Sequence, residues 1–264
     1  MIEISKKITT NVGRTNAQFG LIKENDRIMI GFSGGKDSLT LLHTLNRMQK
    51  KAPFKFDFKA VTITYGMGEQ IEFLSNHCKE HGIEHEIIDT QIFDLAGEKI
   101  RKNSSFCSFF SRMRRGYLYT TALEQGYNKI ALGHHLDDAM ESYFMNLFYN
   151  GTMRTMPPIY KANNGLEVIR PLIFCRERQL RAFADSNEIR VIGDEACPGL
   201  RFDVKMPHAR ATTKELLAKL EEQNPKIFVS MKAAFSNIQL PTFFYKNLKD
   251  IKLNIEDENI WEYW

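Results

Sequence analysis

The chain lacks the features that would take it out of ordinary soluble chemistry. No apolar run approaches the length of a membrane helix, and the N-terminal stretch has no signal-peptide core, so a cytoplasmic location without membrane contact is expected. Only 4 cysteines occur among 264 residues, which argues against a disulfide framework. A free cysteine is by default a small buried hydrophobe. Internal repeats and low-complexity segments are absent. Charge of one sign is not in large excess: a net +4 is compatible with RNA binding and is no argument for it alone. What is present is ordinary globular material, 43% hydrophobic and 26% charged. The length suits one large domain, or a domain with a small appendage.

Residues 1–24 read as a polar, partly helical leader. An apolar run at 27–32 is the first strand. A helix follows to about Lys51, where Ala52-Pro53 ends it. Residues 58–64 alternate and are β-branched, so they read as a second strand. A helix over 69–80 and a third strand over 84–88 follow. Residues 93–106 read as polar and irregular. Beyond them come a helix over 111–125, a strand over 129–133, a helix over 137–148, a short strand over 166–169 and a helix over 176–186. Residues 193–210 read as an irregular loop, followed by helices over 212–223 and 225–235 and an acidic, aromatic tail over 255–264. The βαβαβ order predicts an α/β fold with a parallel sheet wrapped by helices, and ligands outside the carboxyl ends of its strands.

Three constellations lie at such ends or near them. Ser33-Gly34-Gly35-Lys36-Asp37-Ser38 joins the first strand to its helix. Adjacent glycines let backbone N–H groups approach an anion, Lys36 adds charge, and Ser33 and Ser38 add hydroxyls. It is not a Walker A loop, because the glycines are adjacent and Asp37 follows the lysine. An ordinary strand-to-helix turn uses the same residue types. Gly133-His134-His135-Leu136-Asp137-Asp138 opens a later helix. Asp137 and Asp138 suit either a helix start or Mg²⁺ beside triphosphate oxygens, and His134 and His135 either phosphate contact or capping. In the third, Arg112, Arg114 and Arg115 fall within four residues near a helix start, as a phosphate-binding or RNA-binding set or as a solvated basic face. Cys107 is expected just before that helix, where its thiolate is favoured. Cys197 sits in another loop, and spacing alone leaves open whether the two converge.

The glycine loop resembles the pyrophosphate-binding loop of N-type ATP pyrophosphatases. With the 107–119 segment, Met156-Pro157-Pro158, Ile169-Arg170-Pro171-Leu172 and Cys175-Arg176-Glu177, the chain resembles the TtcA family of tRNA 2-thiocytidine synthetases over about residues 15–240. The resemblance implies an adenine-nucleotide α-hydrolase-like (Rossmann-like) fold. It divides the chain into the leader 1–24, a PP-loop ATP pyrophosphatase domain over 25–190, and a cysteine-bearing loop with a small helical C-terminal part over 191–264. It implies ATP- and Mg²⁺-dependent thiolation of a cytidine in the tRNA anticodon loop, through an adenylated base. Residues 33–38, His134, His135 and Asp138 would hold the nucleotide, and Lys36, Asp37, Cys107 and Cys197 would be catalytic. Asp137 and Asp138 would hold Mg²⁺, and Arg112, Arg114 and Arg115 the RNA. A sulfur donor such as a cysteine desulfurase, and a homodimer, are also implied.

Family members hold a [4Fe–4S] cluster on three cysteines, two of them in a Cys-x-x-Cys. Here Cys107 matches the first and Cys197 the late one, but Phe110 stands at the second. Cys175 reads as a packing residue. Three readings follow: a persulfide carrier and resolving pair at Cys107 and Cys197, a labile or atypical metal centre, or loss of thiolation with the ATP site adenylating another substrate. Rival functions are a lysidine-synthetase-type ligase and a tRNA-binding relic.

Overall fold

The computed structural model describes residues 2–99, 106–193, 208–239 and 242, with the side chains of 97–99, 106–108 and 208 excepted. Six strands form one sheet: β1 (Arg27–Gly31), β2 (Asp57–Ile63), β3 (His85–Ile88), β4 (Lys129–Ala131), β5 (Ile159–Lys161) and β6 (Glu167–Ile169). Their spatial order is β3-β2-β1-β4-β6-β5, parallel throughout except between β5 and β6. The direction of chain progression reverses between β1 and β4, so the loops after these two neighbouring strands flank the switch point.

The sheet is covered on both faces, which is why β1 reads as a continuous apolar run. Ile28 and Ile30 point to one face, Met29 to the other. The first face carries α1 (Lys6–Phe19), α2 (Lys36–Lys51), α3 (Glu72–Glu80) and α7 (Glu177–Ser186). The second carries α4 (Ile92–Lys99) and α5 (Phe106–Glu124). α6 (Leu136–Tyr149), α8 (His208–Gln223) and α9 (Ile227–Ala234) share a smaller cluster of Leu136, Met140, Leu217 and Phe228.

Several expectations need correcting. The segment taken as a leader is part of the main core: Ile8 and Val12 of α1 are buried in it, and Asn11 Nδ2 donates to the Phe174 carbonyl at 3.0 Å. The segment taken as irregular contains α4, and α5 begins five residues earlier than expected. Cys107 therefore lies inside the first turn of α5 rather than before it. Strand β5, a three-residue antiparallel edge strand, was not expected from the sequence. Cys197 and most of its loop fall outside the described residues.

Candidate active site

The loop after β1 is built as an anion cradle. Gly34 has φ +77°, which calls for glycine, and an added Cβ would also push aside the side-chain ends of Leu74 (2.9 Å) and Ile192 (2.7 Å). Gly35 is the N-cap of α2 and makes no side-chain capping bond, which leaves the N–H groups of the first turn for a ligand. Ser33 Oγ donates to Ser38 Oγ at 3.2 Å, and Ser38 Oγ donates to the Gly35 carbonyl at 3.0 Å.

The loop after β4 meets this cradle through Gly133. A Cβ there would sit 3.1 Å from the Asp37 carbonyl carbon and 3.1 Å from the Ser38 nitrogen. The contact puts His135 Nε2 3.8 Å from Asp37 Oδ1 and 3.4 Å from Asp138 Oδ2. His135 is the N-cap of α6 and forms a reciprocal capping box with Asp138. Capping and ligand proximity thus coexist in the same residues. His134 Nδ1 accepts from Arg170 Nε at 3.2 Å, and burial, aided by the Arg170 charge, pushes this imidazole down to about 3. Arg170 also donates to the Pro157 carbonyl at 2.7 Å, so the Met-Pro-Pro and Arg-Pro-Leu segments converge behind His134.

The acidic residues divide into distinct roles. Asp137 is engaged by α7: Arg176 Nε donates to both of its oxygens (3.1 and 3.2 Å), and the Glu177 N–H donates to Oδ2 at 2.7 Å, while His135 Nδ1 lies 3.7 Å from the same oxygen. It buttresses the start of α7. Asp37 Oδ1 is buried with no hydrogen-bond partner, and burial raises this carboxyl above its ordinary value. An orphaned carboxylate oxygen beside a phosphate cradle suits Mg²⁺, so Asp37 with Asp138 fits that ion better than Asp137 with Asp138.

The sequence did not reveal the ion-pair network around these groups. Lys36 Nζ lies 3.2 Å from Glu177 and 3.3 Å from Asp37. Burial opposes its charge, but the two carboxylates outweigh burial and raise its pKa. Burial likewise works against ionised Glu177, yet Lys214 (2.8 Å) and Lys36 hold that carboxyl down at about 2. Arg210, on α8, donates to Asp138 at 2.6 Å and Glu141 at 2.7 Å. Arg176 makes a two-pronged pair with Glu221 at 2.7 and 2.8 Å. Adjacency of Arg176 and Glu177 at a helix start was visible; that α8 would bring Arg210, Lys214 and Glu221 to them was not.

The arginine helix splits its cations. Arg112 is exposed, whereas Arg114 donates to the Tyr65 hydroxyl at 2.8 Å and lies over the Tyr65 ring. The charge of Arg115 acts on His134 and Arg170, which places it beside the second loop. Phe110 is 3% exposed, with its ring against Tyr65, Phe93 and Phe109. Cys78 and Cys175 are fully buried, and burial pushes both thiols up to about 12. Cys175 is a packing residue, as expected.

A family model for the PP-loop domain matches residues 4–205. The chain is 44% identical over 237 residues to a tRNA-cytidine(32) 2-sulfurtransferase of Geobacter metallireducens, covering 89% of this chain and 90% of that protein. A Pseudomonas syringae protein of the same name is 37% identical over 252 residues, covering 94% and 89%. Among solved structures, the U34-tRNA thiolase NcsA from Methanococcus maripaludis with its [4Fe-4S] cluster superposes with a TM-score of 0.68 at 23% identity, over 89% of this chain and 79% of that one. That likeness shows the shared fold. A phosphate cradle at the switch point, a second loop locked against it by a glycine, and relatives matched over nearly their whole length agree: the chain belongs to the PP-loop domain family and, within it, to the tRNA-cytidine(32) 2-sulfurtransferase family.

Proposed function

We propose that this protein thiolates a cytidine of the tRNA anticodon loop, at position 32 as in the relatives' name, in an ATP-dependent reaction that adenylates the base and releases pyrophosphate. ATP phosphates lie on the open N–H groups at the start of α2, where the helix dipole and Lys36 favour negative charge. Lys36 is held ready by Glu177 and exchanges that partner for phosphate oxygens. Asp37 and Asp138 are the residues that would hold Mg²⁺, which neutralises charge on the phosphates when bound. The cytosine carbonyl oxygen attacks the α-phosphate, and sulfur then displaces AMP from the activated ring carbon.

The residues do not fit a three-cysteine cluster. Phe110 offers no ligand and is committed to an aromatic cluster, while Cys78 and Cys175 are buried as protonated thiols. Sulfur transfer rests instead on Cys107 and Cys197. A persulfide on one attacks the adenylated base, AMP leaves, and the second thiolate displaces the thiolated base to leave a disulfide for reduction. One observation supports this reading: the described residues on either side of the Cys197 segment, Ile192 and Arg210, both bond into the active site. Ile192 N–H donates to the Gly34 carbonyl at 2.9 Å, and Arg210 grips Asp138 at 2.6 Å.

The test is nucleoside mass spectrometry of unmodified tRNA incubated with the protein, ATP, Mg²⁺, a cysteine desulfurase and cysteine. Formation of 2-thiocytidine with stoichiometric pyrophosphate, lost in both Lys36→Ala and Cys197→Ser, is expected. Pyrophosphate release with no thiolated base would refute sulfur transfer and favour a ligase. Undiminished thiolation by Cys197→Ser would refute the cysteine pair alone.

A further inference from the structure

Three histidines meet away from the active site. His43 lies midway along α2 and is 4% exposed. His77 is in the last turn of α3, and His81 is the C-cap of that helix, four residues on and so on the same face. The ring centroids are 5.0 Å apart for His43 and His77, 4.9 Å for His43 and His81, and 4.7 Å for His77 and His81, each pair edge-on. One ring nitrogen from each lies within 4.8 Å of the other two, and the Nε2 atoms of His43 and His77 are 2.7 Å apart. A hydrogen bond between two imidazoles accounts for that pair, one donating and one accepting. It does not account for a third imidazole aimed at the same point. A cation at that point accounts for all three.

We propose that His43, His77 and His81 bind a first-row divalent transition metal, with Zn²⁺ the ion they match best, as a staple between α2 and α3. Imidazole nitrogens suit Zn²⁺, Cu²⁺ and Ni²⁺, whereas Mg²⁺ and Ca²⁺ require oxygen ligands; the site is chemically distinct from the one at Asp37. Zn–N bonds of about 2.0–2.1 Å place tetrahedral ligand nitrogens about 3.4 Å apart, between the present extremes of 2.7 and 4.8 Å, so small side-chain rotations close the set. The Phe183 ring, 5.9 Å from that of His43, walls the site on its inner side. His77 and His81 are half-buried and leave an outer side through which an ion can enter and a water can complete the shell. The staple sits behind the phosphate cradle, since Leu74, one turn before His77, lies against Gly34 together with Ile192.

The test uses the full chain carrying Cys107→Ser and Cys197→Ser, so that no loop thiolate competes, stripped of metal and titrated with Co²⁺ and then Zn²⁺. One Co²⁺ per chain is expected, with visible d–d absorption, without thiolate charge-transfer bands, and displaceable by Zn²⁺. Saturation at about a hundred times Kd should raise Tm by roughly 5–10 °C, reversibly with chelator. Separate His77→Ala and His81→Ala changes should each weaken binding at least about tenfold and remove the Tm shift. Their half-buried side chains leave the metal-free Tm within a few degrees of the parent, which separates lost ligation from lost folding. The proposal is overturned if the titration shows no stoichiometric site, if either alanine variant binds as the parent does, or if metal is bound only when Cys107 and Cys197 are present.

Discussion

Gly133 does its work by having no side chain. Its α-carbon is pressed against the first turn of α2, and the atoms a Cβ would strike are backbone, not the movable end of a side chain. That contact fixes the separation of Asp37, His135 and Asp138. Gly133→Ala should therefore act on ATP use, through about 1–3 kcal/mol of overpacking. We expect kcat/KM for ATP, read as pyrophosphate release, to fall about tenfold or more. An unchanged value would show that the second loop moves independently of the cradle. The same scale separates what the two aspartates after His135 do. From sequence both Asp137 and Asp138 were helix-start acids and candidate Mg²⁺ ligands. The structure bonds Asp137 to Arg176 and the Glu177 N–H, and Asp138 to Arg210 and the His135 N–H, a difference of partners that no residue string records.

At the scale of elements, α8 is fastened to the domain by charge as much as by its small apolar cluster. Arg210 reaches α6, Lys214 reaches α7, and Glu221 receives Arg176, whose guanidinium also stacks 3.4 Å over the Phe228 ring. Arg176 bridges Asp137 and Glu221 with a planar fork, which lysine cannot reproduce. Arg176→Ala should destabilise by about 2 kcal/mol, because two partly buried carboxylates lose their guanidinium and keep only the Glu177 N–H and the exposed Arg178. Arg176→Lys should recover less than half of that in urea unfolding. Full recovery by lysine would mean that charge alone, and not the fork, holds α8. What sequence reading recovered follows from the range of the forces involved. β1, α2, β4 and α6 were legible because strand hydrophobicity, glycines and capping residues are local signals. α1 was misread because Ile8 and Val12 are apolar positions that make sense only against a core formed by later residues. The α8 clamp was invisible because its partners lie 37 to 72 residues away in sequence.

For the whole molecule, buried imidazoles set the acid limit of stability. His85 bonds Thr62 Oγ1 at 2.8 Å and Ser75 Oγ at 3.0 Å, and burial holds it down to about 4; His134 is held to about 3. Both stay neutral when folded but take up a proton near 6.5 once unfolded. Their contribution is complete above about pH 6.5 and is lost as pH falls toward 4, by up to about 1.4 kcal/mol per pH unit for each group. Glu177, held at about 2, adds a loss in the same direction below about 4.5. The urea midpoint should fall steadily from pH 6.5 to 5, with a shallower slope in His85→Gln; a flat midpoint over that range would contradict neutral burial.

Docking of tRNA is also a property of the whole surface, and the arginine helix divides it. Arg114 is held by Tyr65, and the charge of Arg115 acts on His134 beside the second loop. Arg112 is exposed, and under the proposed function it would be a phosphate contact on the approach. Arg112→Ala should weaken tRNA binding uniformly and reduce the slope of log K against log salt by about 1, with kcat at saturating tRNA unchanged. Arg115→Ala should instead lower kcat, because its charge bears on the second loop and not only on the backbone of the RNA. Equal effects of the two changes on salt slope and on kcat would make the helix a single solvated basic face, and the path of the anticodon loop would then have to enter over another surface.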